Sequence, residues 1–479
     1  MMGYTVRLQP RARRDFAYGL ALALLALIPR LFVVLAWARE PVWDGHYYHY
    51  GAERIATGFG YSEDVWVGGE PVWKPWCHYP VGYSAFLALA YRMFGSGLLV
   101  APLANAAVGV LLVLVSFALA RHYLSELRAL AAGALVALHP GLITYSAVVM
   151  TEQLAALLMM LAAWCAVSQK HRWRGIVLAG LVIGMGTLVR PASLLLGGLV
   201  VLAQPMIMAD VKSWWAAGLR ASVASAIAVA VVLPWTIRNC RVMDDCSFVS
   251  TNGGWNLAIG ALTETGRFRT LRAADGCPVV TGQVQQDRCW ARVGREVIRQ
   301  APGRWLALFP KKLGQTYNHE SFAIEYLHEA NPSAWPDARR VAGRQLTTFF
   351  HRLLLVAAAL AVVAWHDWRR AARRVLAAQL GLLLLIVGGG WLAFRSNTHP
   401  FYWLPALLPL VAVLPLPGRP LQGPAGRLCL GMIAATSLTH AVFFGEDRYH
   451  LVVTPALCLL AAGALRRASA RTASANQER

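Results

Sequence analysis

Apolar runs of roughly 17–22 residues, each long enough to cross a bilayer, alternate with short polar stretches through most of the chain. The runs fall at 16–37, 98–120, 129–148, 153–168, 175–189, 192–208, 217–235, 348–365, 375–394, 401–415, 428–444 and 451–465, about twelve crossings. An all-α polytopic membrane bundle is the expected fold class. Two polar segments, 38–97 and 237–347, are too long to be plain turns. Within the second, Val293, Val297, Trp305, Leu306, Leu308, Phe309 and Leu313 recur at helical spacing, broken at Pro302 and Pro310, with Lys311 and Lys312 alongside. That pattern predicts one or two interfacial helices lying on the membrane surface. The segment 52–57 reads as a short amphipathic piece, followed by a turn at Gly58, Gly60 and Tyr61.

This pattern divides the chain into an N-terminal transmembrane module (1–236) containing the first outer loop, a large outer loop (237–347), C-terminal spans (348–466) and a polar tail (467–479). Charge fixes the orientation, because short cytoplasmic loops are enriched in Lys and Arg. With the N-terminus inside, the inner loops hold Arg121 and Arg128; Lys170, Arg172 and Arg174; Lys212 and Arg220; Arg369, Arg370, Arg373 and Arg374; Arg419 and Arg427; and Arg466, Arg467 and Arg471. The short outer connections hold Arg190, Arg395 and Arg448 singly. Both termini are therefore expected in the cytoplasm. The first apolar run, preceded by Arg7, Arg11, Arg13 and Arg14, ends in Ala36-Trp37-Ala38 and could pass for a signal peptide. Its length, beyond the 7–15 residues or so of a signal core, favours a retained helix.

Composition agrees: 57% of the 479 residues are hydrophobic and 14% charged, with a mean hydropathy of +0.46. Soluble domains carry about 25% charged residues. The net charge of +21 is spread over short loops rather than a soluble basic module, so nucleic acid is not an expected partner. Contact with anionic lipid is. Arg greatly outnumbers Lys, an association with GC-rich bacterial genomes. Cys240, Cys246, Cys277 and Cys289 cluster in the large outer loop, where an oxidising compartment favours disulfides. Local pairing, Cys240 with Cys246 and Cys277 with Cys289, is the simplest arrangement. No nucleotide-binding loop or dinucleotide fingerprint is present.

Polar residues gather at the outer ends of the spans. Asp44, His46, Lys74, His78 and Tyr83 follow the first span, Glu152 opens the fourth, Arg190 precedes Pro191, Asn252 and Trp255 sit in the large loop, and Arg448 lies near the end. Asp44 is the lead catalytic residue and Glu152 its partner: if a hydroxyl attacks an anomeric carbon with a phosphate leaving group, a carboxylate must take the proton. Plainer readings are a helix cap or an ion pair with an arginine for Asp44, and a cap for Glu152. Arg190, Arg395 and Arg448 could hold phosphate through their guanidinium forks or snorkel to headgroups. Lys74 and His78 could steady the same phosphate or be ordinary loop residues. A divalent metal on Asp44, His46 and His78 stays open, since their spacing is not diagnostic.

The residues so placed resemble a family: the GT-C glycosyltransferases that use a polyprenyl-phosphate-linked sugar, in the branch of protein O-mannosyltransferases and lipid A aminoarabinose transferases. The matching residues are Asp44, Tyr47 and Tyr48; Gly58, Gly60 and Tyr61; Tyr79, Pro80, Gly82 and Tyr83; Thr151 and Glu152; Leu188 to Pro191; Pro234, Trp235, Arg238 and Asn239; and Ser250 to Asn256. The resemblance implies a GT-C-like bundle in a bacterial inner membrane, an active site under periplasmic loops with Asp44 as its catalytic acid residue, and inverting transfer from a lipid-phosphate donor. The acceptor, whether glycan, lipid or protein, is not implied, because Leu465 is followed by a short polar tail where the lipid A transferases have a soluble domain. The alternative is a transporter or flippase of lipid-linked glycan. It would need ionisable residues inside the spans, and here the polar residues gather at the outer ends while mid-span charge is scarce.

Overall fold

Each apolar run meets a helix in the computed structural model, which describes residues 10–168, 172–202, 211–278, 282–363, 373–413 and 424–464. Expectations for the arginines of 1–9, Lys170, Arg369, Arg370, Arg419, the ends of the spans at 192–208, 348–365, 401–415 and 451–465, and the tail fall outside the described residues. Among the described residues, five helices are long and apolar enough to cross a membrane: Arg13–Trp37, Val100–Tyr123, Trp214–Val242, Asp337–Val362 and Arg373–Ala393. A bent pair, Glu126–Leu138 with Pro140–Ala147, makes a sixth if counted as one span. The chain is a mostly helical, multi-pass membrane protein. Other predicted spans are shorter apolar helices, Glu152–Ser168, Trp173–Val189 and Tyr449–Ala464 among them.

The N-terminal half is built from α1 (Pro10–Trp37), α2 (Asp44–Ala56), the antiparallel strands β1 (Ser62–Val67) and β2 (Glu70–Pro75), then α3 (Gly82–Phe94), α4 (Val100–Tyr123) and α5 (Glu126–Leu138). After α5 come the short α6 (Pro140–Thr144), α7 (Glu152–Ser168), α8 (Arg172–Val189), α9 (Leu199–Leu202) and α10 (Val211–Val242). α4 packs against α1, α5 and α7, and α8 lies between α7 and α10. The 129–148 run is bent by 52° where His139 precedes Pro140, since proline offers no N–H to continue α5. Arg30 of α1 is fully buried at that break. It donates to the carbonyls of Ala26 and Ala137 at 2.9 Å, and to Val136 at 3.4 Å, satisfying helix-end acceptors of α5.

Beyond α10 lie α11 (Gly253–Leu262), α12 (Gln283–Gln300), α13 (Pro302–Tyr317), α14 (Phe322–Ala330), α15 (Asp337–Ala359), α16 (Arg373–Ala393), α17 (Leu404–Val413), α18 (Pro424–Val442) and α19 (Thr454–Ala464). α15 and α5 both pack on α19, closing the two halves onto one another. Of the two expected breaks, Pro302 opens α13, where its missing N–H costs nothing, whereas Pro310 sits inside that helix. Disulfides join Cys240 to Cys246 and Cys277 to Cys289, as the local pairing predicts.

Candidate functional site

The segment after the first span is a helix, a hairpin and a second helix. Its first residue is set by an unusual turn: Trp43, at φ 51°, is the one non-glycine residue with positive φ among the described residues. Such backbone is uncommon for a bulky side chain and concentrates at functional sites. Asp44 then opens α2. Its Oδ1 accepts the Tyr79 hydroxyl at 2.8 Å and its Oδ2 accepts Arg448 at 2.7 Å, across 404 residues of chain. Arg448 also donates to Glu446 at 2.8 Å. Burial pushes Asp44 up, but the Arg448 charge and the hydrogen bonds from Arg448 and Tyr79 outweigh it and hold the carboxyl below its ordinary value. Glu446 goes the other way: burial raises it despite Arg448.

A second guanidinium stands nearby. Arg190, just past α8, donates to the Thr151 hydroxyl at 3.0 Å and pairs with the Glu152 carboxylate. The Tyr449 ring lies between the two cations, 5.5 Å from the Arg190 guanidinium carbon and 5.2 Å from that of Arg448. Both arginines therefore keep an aromatic face beside them that a flexible lysine would not use as well.

The opposite wall is the segment after α10. Trp235 donates its indole N–H to the Val249 carbonyl at 2.8 Å, and Asn239 donates to the carbonyls of Ser247 and Val249. Arg238 reaches the other way, to the carbonyls of Tyr61 and Trp76, and Thr251 N–H donates to the Cys77 carbonyl at 2.9 Å. The Pro234–Asn239 motif thus stitches the first outer segment to the second. α11 begins beneath it, with Asp287 accepting the N–H groups of Gly254 and Trp255. A carboxylate suits those unpaired first-turn donors. The Trp255 ring then meets His78 edge-on at 5.9 Å. Burial lowers the His78 imidazole, with Asp44 pulling the other way, so His78 is mainly neutral near pH 7.

Between these walls is a cavity of about 510 Å³. Asp44, Tyr48, His78, Arg190 and Arg448 give it a polar floor, and Ile259, Phe268, Phe443 and Phe444 give it an apolar flank. Gly82 permits the packing below, since a Cβ there would lie 2.6–2.7 Å from the Leu188–Val189 backbone.

Of the residues singled out from sequence, the structure brings Asp44, His78, Arg190, Asn252, Trp255 and Arg448 to this cavity. Glu152 does not line it: the side chain is wholly buried behind Arg190. Tyr83 is also wholly buried, its hydroxyl donating to Asn105 at 3.0 Å, which places it in the core under α3. Lys74 lies on β2 opposite Glu63, and His46 is exposed beside Tyr47 and Tyr50; neither lines the cavity. Arg395 turns to the Trp391 ring instead. Asp44, His46 and His78 form no metal-ligating group among the described residues. Sequence reasoning gave no role to Tyr79 as a donor to Asp44, to Tyr449 between the arginines, or to Glu446. The clustered polar residues 446–450 were the only signal pointing to the last two.

Residues 78–237, about a third of the chain, match the family model described as dolichyl-phosphate-mannose-protein mannosyltransferase, which bears out the resemblance over that stretch. No curated protein matches the chain significantly. Among solved structures, an Archaeoglobus fulgidus oligosaccharyltransferase tethered to an acceptor peptide aligns at 14% identity and TM-score 0.46, covering 93% of this chain and 49% of that one. The archaeal oligosaccharyltransferase AglB from Archaeoglobus fulgidus, in complex with an inhibitory peptide and a dolichol-phosphate, aligns at 15% identity and TM-score 0.44, covering 93% and 50%. ArnT from Cupriavidus metallidurans bound to undecaprenyl phosphate aligns at 15% identity and TM-score 0.37, covering 91% and 77%. The chain spans about half the length of the oligosaccharyltransferase chains.

Proposed function

We propose that the protein is an integral-membrane glycosyltransferase that moves a sugar from a polyprenyl-phosphate donor to an acceptor hydroxyl, with inversion. The reaction takes place on the periplasmic face of a bacterial inner membrane, and both termini lie in the cytoplasm. The observation that carries this reading is the Asp44–Arg448 pair, set in a cavity with a second arginine, Arg190, and an apolar flank. Two guanidinium groups suit a phosphodiester, and Ile259, Phe268, Phe443 and Phe444 suit the first isoprene units of its lipid. The match of residues 78–237 to a family that uses dolichyl-phosphate mannose supports the same donor class.

In the unliganded cleft Asp44 is a weak base, because Arg448 neutralises it. An incoming phosphate competes for the Arg448 guanidinium, and Asp44 loses its main stabilising charge as the donor seats. Its proton affinity then rises at the moment an acceptor hydroxyl needs a base. Arg448 and Arg190 stabilise the departing polyprenyl phosphate as charge builds on its oxygens. Tyr79 keeps its hydrogen bond to the carboxylate and fixes its direction. Asn252 and Trp255, in the segment 250–256 over the cavity, contribute to acceptor selection. Lys74 does not line the cavity and is given no part in the reaction.

The test is release of free polyprenyl phosphate from a labelled lipid-linked sugar in proteoliposomes. Wild-type protein should release it in the presence of acceptor, and Asp44→Asn should not. Movement of intact lipid-linked sugar between leaflets without cleavage would instead identify a flippase.

A further inference from the structure

Apart from the cleft, four segments distant in sequence meet at a second cluster of buried side chains. His139 stands at the α5–α6 bend, Glu320 between α13 and α14, His351 within α15, and His450 in the helical turn Tyr449–Val453. The three histidines are 0% exposed and Glu320 4%. One ligand-capable atom from each of His139, Glu320 and His351 lies within 4.8 Å of the others.

Hydrogen bonds assign the ring protons. His351 Nε2 faces the Tyr317 carbonyl at 2.9 Å, so that nitrogen carries the hydrogen and Nδ1 is left with a lone pair. His351 Nδ1 has no hydrogen-bond partner and points to Glu320 Oε2 at 4.0 Å. His450 Nδ1 donates to the Thr316 carbonyl at 2.7 Å, and its Nε2 is hydrogen-bonded to Glu320 Oε2 at 3.0 Å. His139 Nδ1 takes a long 3.4 Å hydrogen bond from Leu142 N–H and stands 3.9 Å from Glu320 Oε1, which itself has no donor. His351 Nδ1 and Glu320 Oε1 are thus left without partners in a buried cluster, and His139 Nδ1, held only by the long Leu142 contact, stands beside that oxygen. Buried polar atoms are normally paired. A cation beside Glu320 would satisfy His351 Nδ1 and Glu320 Oε1.

We infer that His139, Glu320 and His351 hold a divalent transition-metal ion of the zinc type, with His450 against the second oxygen of Glu320. Imidazole with one carboxylate is a zinc-type donor set, unlike the all-oxygen sets of calcium and magnesium. Two ligands at about 2.0–2.1 Å from a tetrahedral ion lie about 3.4 Å apart; His139 approaches Glu320 Oε1 at 3.9 Å and His351 approaches Oε2 at 4.0 Å, with the three ligand atoms within 4.8 Å of one another, so the side chains must close in when an ion binds. The outer shell is already in place, with the Tyr317 and Thr316 carbonyls orienting two of the rings. Gly141 is what admits the carboxylate, because a Cβ there would overlap Glu320. His450 is two residues from Arg448, and Asp447, immediately before Arg448, accepts Ser321 and Phe322 N–H beside Glu320. The ion therefore fastens the turn that carries Arg448 to the membrane helices. That consequence rests on the role proposed for Arg448; the site itself does not.

The test is metal content of the full-length chain, purified in detergent without a histidine tag. Elemental analysis of wild-type and Asp44→Asn protein should find about one zinc per chain, falling at least tenfold in Glu320→Gln and His351→Ala. If zinc is stripped during purification, Co²⁺ added to wild-type protein should give intense tetrahedral d–d bands, absent in Glu320→Gln. Should His351→Ala fail to elute as folded protein, Glu320→Gln and the wild-type spectrum decide. A wild-type chain with neither zinc nor a cobalt spectrum overturns the site. So does metal lost in Asp44→Asn but kept in Glu320→Gln, which would place the ion in the cleft.

Discussion

Glu152 stands directly behind Arg190, wholly buried, and with Thr151 it turns the guanidinium toward the cavity that Glu152 itself does not line. The arrangement gives the acid a positioning role rather than a place among the reacting atoms. Glu152→Gln should therefore raise the KM for the lipid donor more than it lowers kcat. It should also cost about 1–3 kcal/mol of stability, less than for a fully buried pair because the Arg190 side chain is 21% exposed. Steady-state kinetics over donor concentration, with thermal unfolding alongside, check both. A collapse of kcat at unchanged KM would return Glu152 to the chemistry.

Asp44→Asn should lower transfer by about 10²–10⁴-fold, the usual range for losing a general base. Tyr79→Phe, which removes one hydrogen bond but leaves the carboxylate, should cost much less, about tenfold. Initial rates with a fixed acceptor separate the two.

The ion pair also sets a pH dependence. Asp44 titrates below its ordinary 3.8 in the folded protein, so the pair's stabilisation is fully present above that value and lost as pH falls through the lower, folded one. The difference in Tm between wild type and Asp44→Asn should be constant from about pH 7 to pH 5 and shrink below about pH 4. A difference that shrank already between pH 7 and pH 5 would show that another group dominates.

Reducing the disulfides should loosen the wall of the cleft. The Cys277–Cys289 bridge closes a segment of sequence separation 12, for which chain entropy gives about 3 kcal/mol. A reductant should lower Tm in wild type, and Cys277→Ser/Cys289→Ser should reproduce most of the shift without further response at that pair.

Gly82→Ala should impair both folding and activity, because its methyl meets the backbone of Leu188 and Val189, next to Arg190. About 1–3 kcal/mol of destabilisation is expected, measured by thermal unfolding in detergent.

Much of this was legible in the sequence. Apolar run length gave the helices, and local spacing gave both disulfides, because each signal is carried by neighbouring residues. Asp44 was singled out because it is a carboxylate just past the first span, where a hydroxyl's proton could be taken. Its partner could not be found in the same way, since Arg448 is 404 residues away and only packing selects it among several outer arginines. Tyr83 was misplaced because a motif position says nothing about which side of α3 a ring faces. The hairpin β1–β2 was overlooked although Gly68 and Gly69, at φ 62° and 91°, form the turn that a Gly-Gly pair between Val/Trp-rich runs announces.

The buried guanidinium of Arg30 bears on biogenesis. A cation in the first apolar helix disfavours entry into lipid by itself, and its acceptors, Val136 and Ala137, emerge from the ribosome about a hundred residues later. The opening helix would therefore wait at the translocon until the fifth arrives, and the pair would partition together. Arg30→Leu should release that hold, letting a truncated chain ending before residue 126 integrate, whereas in the full-length chain it should leave the carbonyls at the α5 break without a donor.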